Sequence, residues 1–221
     1  ELERTLKTNT GEAELLLDKE IILGSGKGKA ELYDKAIPSF IKESGANSII
    51  SRELAKVISN NLDGTGLFRS IPQAAYVSRP LSFNTPVQFN DWSIVNADVL
   101  VVGSVGLKPG GRLEVKFRLW DVVASKEIAA LAFSTSPDNW RRVAHIISDK
   151  IYERLTGEQG YFDTRIIYVS ETGEKTQRIK KLAIMDQDGA NIKYLTLGNE
   201  LVLTPRFSPK NQLVTYLSYF R

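Results

Sequence analysis

The chain of 221 residues contains no cysteine, which excludes disulfide bridges, thiolate zinc sites and a cysteine nucleophile. Its single histidine, His145, cannot build a metal site from several imidazoles. No Gly-x-Ser-x-Gly elbow occurs, so the residues do not support a hydrolase of the type found in propeller-bearing peptidases. The sequence therefore predicts no catalytic residue, no cofactor and no metal ion.

Blocks of one charge and long apolar runs are also missing. The 29 basic and 26 acidic residues are interspersed and give a formal net charge of +3, without the basic block that marks a nucleic-acid arm. Apolar runs such as residues 99–102 and 128–133 are far shorter than the roughly 20 residues that a bilayer span needs. The chain opens at Glu1 without an initiator methionine or a signal pattern, so we expect a soluble protein that is processed or shortened.

Residues 1–29 are polar and poor in aromatic side chains, which predicts a mobile or weakly attached segment. The glycine-rich residues 24–29 lack the spacing of a phosphate-binding loop, and Ala30 stands where that loop needs a serine or threonine. A solvated linker is therefore favoured over a phosphate site.

Residues 30–135 alternate between strand and helix patterns. An extended segment at residues 30–41 contains Pro38, which predicts a sheet edge or a bend. A helix follows, which Asn47 or Ser48 can cap. This is a strand followed by a helix.

Residues 98–105 are apolar at consecutive positions, which is typical of a central strand covered on both faces. Asp91 can cap a single helical turn before this strand. Residues 112–121 alternate strictly between apolar and polar, which predicts an antiparallel strand with one wet face, and residues 126–134 supply the next strand. Together these patterns predict a mixed α/β sheet with helices packed on it.

The stretch 136–171 marks a change of architecture. Ser136 can cap a helix, Pro137 fits its first position, and Gly157 stands where a left-handed stop is expected. Apolar residues at spacings of three and four form one stripe: Trp140, Val143, Ala144, Ile147, Ile151 and Leu155. A strand pattern begins at Thr164.

From Thr164 onward the pattern is one of strands and turns. The strand candidates are residues 164–170, 181–186, 191–197, 201–207 and 212–219, with turns at 186–189 and 208–211. A four-stranded propeller blade takes about 40 to 45 residues. The 58 residues from Thr164 to Arg221 therefore correspond to about one blade and part of a second, which cannot close a propeller.

Three groups of residues have both a structural and a functional interpretation. Asp186 and Asp188 could serve a metal or acid-base site, but they flank a glycine-containing turn and are interpreted as turn formers. Trp140 and the two arginines after it could clamp a nucleic-acid strand, but the stripe already assigns Trp140 to the core. His145 is interpreted as structural, at the rim of the contact between helix and sheet.

Several separated motifs occur in the order found in one family. The main motif combines Trp140-Arg141, His145, residues 151–153, Leu155 to Glu158, Gly160, Phe162, Thr164 to Ile166, and Tyr168-Val169. Further motifs are residues 36–40, 66–68, 97–103 and 207–209. This set resembles the TolB family, a periplasmic component of the Tol-Pal envelope system, from about Ala36 to Tyr219. Two departures are Lys210-Asn211 in place of the usual Asp-Gly blade turn, and residues 1–35, which differ from the segment that engages TolA in that family.

The resemblance implies a mixed α/β domain, similar to the anticodon-binding domain of some tRNA synthetases, followed by an incomplete β-propeller. The expected divisions are a segment at 1–29, an α/β domain at 30–160 and truncated propeller repeats at 161–221. It also implies a non-enzymatic periplasmic scaffold that bridges TolA-type and Pal-type proteins and maintains outer-membrane integrity during cell division. Such a protein would be monomeric, would bind no nucleic acid and would reach membranes only through its partners.

Partner binding is assigned, by the same resemblance, to Leu32, Tyr33 and Arg206. The junction between the domains is assigned to Trp140, Ile151, Leu155, Thr164 and Arg165. Most of the Pal-binding surface would lie in blades that this chain lacks. Two other functions stay open: a nucleic-acid-binding α/β module, which the balanced charge disfavours, and the non-catalytic part of a propeller-bearing peptidase.

Overall fold

The computed structural model describes residues 14–16, 32–174 and 177–220. The chain divides into two compact units, Glu1–Gly160 (unit 1) and Tyr161–Arg221 (unit 2). Most of the segment 1–29 lies outside the described residues.

Unit 1 is built around a mixed sheet. Its strands are β1 (Glu14–Leu16), β2 (Tyr33–Ala36), β3 (Ile41–Lys42), β4 (Phe68–Ser70), β5 (Val99–Leu107), β6 (Leu113–Asp121) and β7 (Lys126–Thr135). Their order is β1-β7-β6-β5-β2-β4, with β3 beside β5. Strands β2, β3, β4 and β5 pair in parallel, whereas β5-β6, β6-β7 and β7-β1 are antiparallel. The predicted mixed sheet is confirmed.

Strand β5 lies inside the sheet, and all of its residues except Leu107 are buried. A strand with neighbours on both sides and both faces covered needs a continuous apolar run, which residues 99–102 supply. Strand β6 has alternate buried residues, such as Val115 and Phe117, between half-buried polar ones. Both sequence predictions hold here.

Helix α1 (Ser48–Asp63) forms the parallel crossover between β2 and β4. It begins at Asn47, whose side chain accepts a hydrogen bond of 2.8 Å from the Ile49 N–H. Pro38 lies between β2 and β3, among residues 37–40, which belong to no strand. Strand β2 has a neighbour on each side, so Pro38 does not mark a sheet edge. Both strands pair with β5, and the register gains one residue between the pairs Ala36–Leu100 and Ile41–Ser104, which is where a residue without an N–H is tolerated.

Helix α3 (Trp140–Thr156) ends as predicted, because Gly157 is left-handed (φ 77°) and donates its N–H to the Glu153 carbonyl at 2.9 Å. Its start was predicted wrongly. Ser136 makes no side-chain cap, since a 3₁₀ turn at Pro137–Asn139 separates it from the helix.

The two long helices, α1 and α3, pack against each other, and α3 also packs on β6 and β7. The stripe of α3 is buried at Ile147 and Ile151, which are 0% and 1% exposed. Trp140 is only half-buried, because it lies in the first turn, where the Arg141 guanidinium sits 5.6 Å from its ring centroid.

A second apolar cluster covers the face of β5 that carries Leu100 and Val102. Its centre is Trp92, which lies on the short helix α2 (Phe89–Ile94) and is 2% exposed. This helix begins at Phe89, so Asp91 lies in its first turn and does not act as the predicted cap.

Unit 2 contains two small antiparallel sheets. Strands β8 (Arg165–Thr172), β9 (Ile179–Asp186) and β10 (Lys193–Tyr194) form one, and β11 (Glu200–Phe207) and β12 (Val214–Phe220) form the other. A bulge interrupts β11 between Leu203 and Arg206, where Thr204 has φ 47° and Pro205 cannot donate to the ladder. This is an incomplete propeller, as predicted.

Candidate functional site

Unit 1 has a polar cleft of about 490 Å³ at the carboxyl ends of the parallel strands β2 and β4, which we call the strand-end cleft. One wall is α1, with Arg52 and Lys56. The other comprises Ser70 and residues such as Gln73 and Tyr76 that follow β4. Carboxyl ends of parallel strands are a common place for ligands in α/β proteins, because the crossover helix leaves a crevice there.

Lys35 forms the floor of the strand-end cleft, although it is only 1% exposed. Its ammonium Nζ lies 2.6 Å from Asp63 Oδ1 and also donates to the hydroxyls of Ser59 and Ser70. The two hydroxyls are 2.6 Å apart, and Ser70 also donates to Asp63 Oδ2 at 2.7 Å. All three ammonium protons therefore have acceptors.

Burial lowers the pKa of Lys35 below its usual range, and the Asp63 carboxylate opposes that shift through a hydrogen bond and its charge. The sequence analysis did not predict Lys35 as a buried lysine inside a parallel strand. The available signal was Lys35 itself, a charge inside the extended segment that leads into α1.

The mouth of the strand-end cleft carries excess positive charge. Among the described residues, no ion pair joins Arg52, Glu53 or Lys56 to a partner, whereas Lys35 is neutralised by Asp63. Arg52 and Lys56, in the second and third turns of α1, thus line the cleft together with one carboxylate, that of Glu53.

The wall opposite α1 is held by Tyr76. Its hydroxyl accepts the Ile37 N–H at 3.1 Å, and its ring meets Trp92 edge-on at 5.2 Å between centroids. Burial raises the pKa of the Tyr76 phenol, which therefore stays neutral at neutral pH.

Strand β4 is the edge of the sheet beside the strand-end cleft. The backbone N–H of Tyr33 donates to the Leu67 carbonyl at 2.9 Å, and the backbone N–H of Ile71 donates to the Lys35 carbonyl at 3.0 Å. Because inward and outward groups alternate along a strand, the N–H and C=O of Phe68 and Ser70 point away from β2. Within the described ranges they meet no other strand.

Two predicted partner-binding residues lie at the start of β2. Leu32 is 45% exposed. Tyr33 is half-buried: its ring stacks on Phe68 at 5.5 Å, and its hydroxyl donates to the Leu155 carbonyl at 3.2 Å. The third residue, Arg206, is exposed on β11 of unit 2.

The residues assigned to the junction fall in both units. Ile151 and Leu155 are buried in α3, and Trp140 begins that helix. Thr164 and Arg165 are exposed at the start of β8, where the Thr164 hydroxyl donates to the Tyr161 carbonyl at 2.7 Å and Arg165 pairs with Asp186 in the sheet register. Their role at the junction stays a prediction.

His145 is structural, but it lies elsewhere than predicted. It is 2% exposed, and its Nδ1 is 2.9 Å from Asn61 Nδ2 of α1. Asn61 also donates to Ser148 at 2.9 Å. This buried polar cluster joins the two helices, so His145 belongs to the contact between helices rather than to the rim of a helix on a sheet.

Two residue groups named in the sequence analysis, Asp186 with Asp188 and Lys210 with Asn211, lie in turns of unit 2. Asp188 accepts the Ala190 N–H at 3.1 Å, and Asp186 accepts from the Asn191 side chain at 2.6 Å, as expected of turn formers. In the β11-β12 loop the Ser208 hydroxyl accepts the N–H groups of Lys210 and Asn211. Asn211 does not need a left-handed backbone there.

Comparisons with known proteins cover both units. The profile described as the TolB amino-terminal domain matches residues 26–128, and that of the TolB beta propeller domain matches residues 152–221. The Tol-Pal system protein TolB of Pelagibacter ubique is 63% identical over 172 residues. This chain belongs to the TolB family.

Other relatives agree on membership and fold. TolB of Dinoroseobacter shibae is 48% identical over 194 residues, which are 87% of this chain and 44% of that protein. The Pelagibacter TolB match covers 78% of this chain and 38% of that protein. The chain thus spans roughly two fifths of these curated TolB sequences. The crystal structure of TolB from Acinetobacter baumannii shares the fold, with a TM-score of 0.68 at 21% identity over 92% of this chain and 46% of that one.

None of the helices in the described ranges is both long and apolar enough to cross a membrane.

Proposed function

We propose that this chain is part of a non-enzymatic periplasmic scaffold of the Tol-Pal system, which joins a TolA-type and a Pal-type envelope protein and maintains outer-membrane integrity during cell division. The observation that supports this most strongly is the match of both units, in order, to the two domains of TolB. The relatives are named as Tol-Pal system proteins.

The two units take different partners in this proposal. The region at the start of β2 meets the TolA-type protein through Leu32, which is exposed, while Tyr33 positions it by holding β2 to the end of α3. The Pal-type protein meets the propeller, where Arg206 is exposed. The scaffold is monomeric, binds no nucleic acid and reaches the membrane only through these partners.

Surface plasmon resonance with immobilised soluble domains of a TolA-type and a Pal-type protein tests this assignment. The chain is expected to bind the TolA-type domain, and Leu32→Glu to weaken that binding about tenfold, because a carboxylate would enter an apolar contact. Leu81→Glu is the matched control, since Leu81 is an apolar side chain of the same unit that is 89% exposed.

The chain is expected to bind the Pal-type domain more weakly than a full-length TolB does, since it spans only part of the propeller-bearing relatives. Equal loss in both leucine variants, or no binding to either partner, would contradict the proposal. Retention of RNA in a filter assay at low salt would favour the nucleic-acid-binding alternative.

A further inference from the structure

The connections that follow the neighbouring parallel strands β2 and β4 lie on opposite faces of the sheet. After β2 the chain reaches α1, which covers the face of Lys35, because that ammonium bonds to Ser59 and Asp63 of α1. After β4 the chain reaches α2, whose Trp92 packs with Ala36 on the other face. In open α/β sheets, ligands bind in the crevice outside the carboxyl ends of two strands whose connections diverge in this way. The strand-end cleft lies at that position.

We propose that the strand-end cleft binds an acidic amino acid, or a short peptide with the same charges, namely two carboxylates and one ammonium. The carboxylates of the ligand meet Arg52 and Lys56, and its ammonium meets Glu53.

The charged side chains of α1 in the cleft select these charges in the ligand. Arg52 and Lys56 are one helical turn apart, and Glu53 lies three residues before Lys56. In the described part of the chain, none of the three forms an ion pair with another or with any further residue. Two unpaired cations and one unpaired carboxylate are complementary to a ligand with two negative groups and one positive group.

The floor of the cleft is already neutral, so it does not compete for the ligand. The ammonium of Lys35 has three oxygen acceptors, and Asp63 matches its charge. The hydroxyls of Ser59 and Ser70 are 2.6 Å apart and belong to the same network. Because this network ties α1 to β2 and β4, the walls are in place before a ligand arrives, which lowers the entropy lost on binding.

Neutral polar groups of the cleft supply further contacts. The side-chain amides of Asn60 and Gln73 line it and make no hydrogen bond within the described ranges. The Tyr76 hydroxyl accepts the Ile37 N–H, and burial raises its pKa, so it keeps a proton that it can donate to a carboxylate.

The size of the cleft suits this class of ligand. Its volume of about 490 Å³ lies within the range of small-molecule sites and has room for one amino acid or a dipeptide. An inorganic anion would satisfy Arg52 and Lys56 but would leave Glu53 without a positive partner.

NMR titrations of the complete, ¹⁵N-labelled chain at low salt test the proposal with L-glutamate as the probe. The controls are L-glutamine, which lacks the side-chain carboxylate, and glutarate, which lacks the ammonium. Each missing charge should weaken binding about fivefold, the effect of one exposed ion pair. The chemical-shift changes should centre on the backbone amides of Ile37, Gln73 and Tyr76, which line the cleft.

L-alanyl-L-glutamate carries the same three charges as glutamate and should give shifts at the same amides. Which of the two binds more tightly distinguishes a free amino acid from a short peptide as the ligand.

Two variants test the role of each charge. Arg52→Gln/Lys56→Gln should remove the preference for glutamate over glutamine, whereas Glu53→Gln should remove the preference for glutamate over glutarate. Lys126→Gln is the matched control, since Lys126 is exposed on β7, with three strands between it and β4, and this change should leave glutamate binding within about twofold. Thermal melts by circular dichroism confirm that each variant is folded.

Four results would overturn the proposal. These are shifts that do not saturate or that lie away from the cleft, equal binding of glutamate and both controls, inorganic phosphate that binds as tightly as glutamate, or unchanged preferences in the two variants. The site is independent of the TolA-type assignment, because Leu32 lies at the amino end of β2 and the cleft at its carboxyl end. Leu32→Glu should therefore leave glutamate binding unchanged.

Discussion

At the scale of single residues, Lys35 shows how a buried charge is tolerated inside a strand. Its ammonium has three oxygen acceptors, and one of them, Asp63, carries the compensating charge. The pair is asymmetric, since Lys35 is 1% exposed and the Asp63 side chain 39%. Replacing Lys35 and replacing Asp63 should therefore lower the free energy of unfolding by different amounts.

Asp63→Ala is expected to lower the free energy of unfolding by about 2 kcal/mol, because it leaves a buried ammonium without a counter-charge. Lys35→Met should lower the free energy of unfolding by clearly less, since Asp63 can then turn its carboxylate to water. Urea unfolding followed by tryptophan fluorescence measures both. A larger loss in Lys35→Met than in Asp63→Ala would contradict this account.

Asp98 gives a prediction about pH. Burial raises the pKa of its carboxyl above the usual 3.8, the Asp34 N–H that it accepts at 2.7 Å opposes the shift, and the charges of Asp34 and Asp121 add to it. In the interval between 3.8 and the folded-state pKa, the folded state holds the proton more tightly than the unfolded state does. The contribution of Asp98 to stability is thus present at low pH and is lost as pH rises through the folded-state pKa.

Asp98→Asn removes that titration while keeping an oxygen that can accept the Asp34 N–H. The stability of the variant relative to the wild type should therefore improve as pH rises from about 4 to about 7. Urea midpoints across that range test the sign, with Asp138→Asn at an exposed position as the control for removing a carboxylate. A relative stability that falls with rising pH would refute the assignment.

At the scale of elements, α3 packs against the rest of unit 1 through its apolar stripe and through the polar cluster of Asn61, His145 and Ser148. An apolar stripe can slide or rotate at small cost, whereas a hydrogen-bonded buried cluster accepts few arrangements. The cluster therefore determines the relative position of α1 and α3. The stripe supplies most of the free energy that stabilises their packing.

Ile151→Asp should unfold unit 1, because Ile151 is 1% exposed and an unpaired carboxylate there would be desolvated without compensation. The expected result is loss of the cooperative melt in circular dichroism. Glu153→Asp, at an exposed position of the same helix, is the control and should melt like the wild type. An unchanged melting curve for Ile151→Asp would mean that α3 is not essential to the core.

At the scale of the whole molecule, the two units differ in how well they bury apolar surface. Unit 1 buries apolar side chains on both faces of β5, whereas the buried apolar residues described in unit 2 are Phe162, Leu182, Ala183 and Val202. Large side chains such as Leu197 and Tyr219 are exposed in unit 2, at 82% and 56%. A pair of small sheets with so little core is marginal alone.

Residues 1–160 are therefore expected to fold alone, and residues 161–221 to show no cooperative melt. Trp92, Trp120 and Trp140 are the only tryptophans of the sequence, and all lie in unit 1, so tryptophan fluorescence of the complete chain reports that unit. Its transition should match that of the 1–160 fragment within a few degrees, about the shift caused by 1 kcal/mol. A cooperative melt of residues 161–221 alone would contradict the expectation.

The sequence by itself determined the features that depend on local periodicity. The central strand β5, the alternating strand β6, the stop at Gly157 and the strands of unit 2 could all be predicted, because burial on one or both faces leaves a repeat in neighbouring residues. The family could be predicted from motifs in order. The start of α3 could not, since a 3₁₀ turn and a helix have similar sequence signals.

Only the tertiary structure decided the strand-end cleft and the buried polar groups. Lys35 became a buried ammonium because β2 pairs in parallel with both β4 and β5, and α1 brings Ser59 and Asp63 over it. His145 met Asn61, 84 residues away in the chain, because two helices cross. Such contacts join residues far apart in sequence, so no local pattern records them, and the geometry of pairing and packing decides which charges lie close enough to pair.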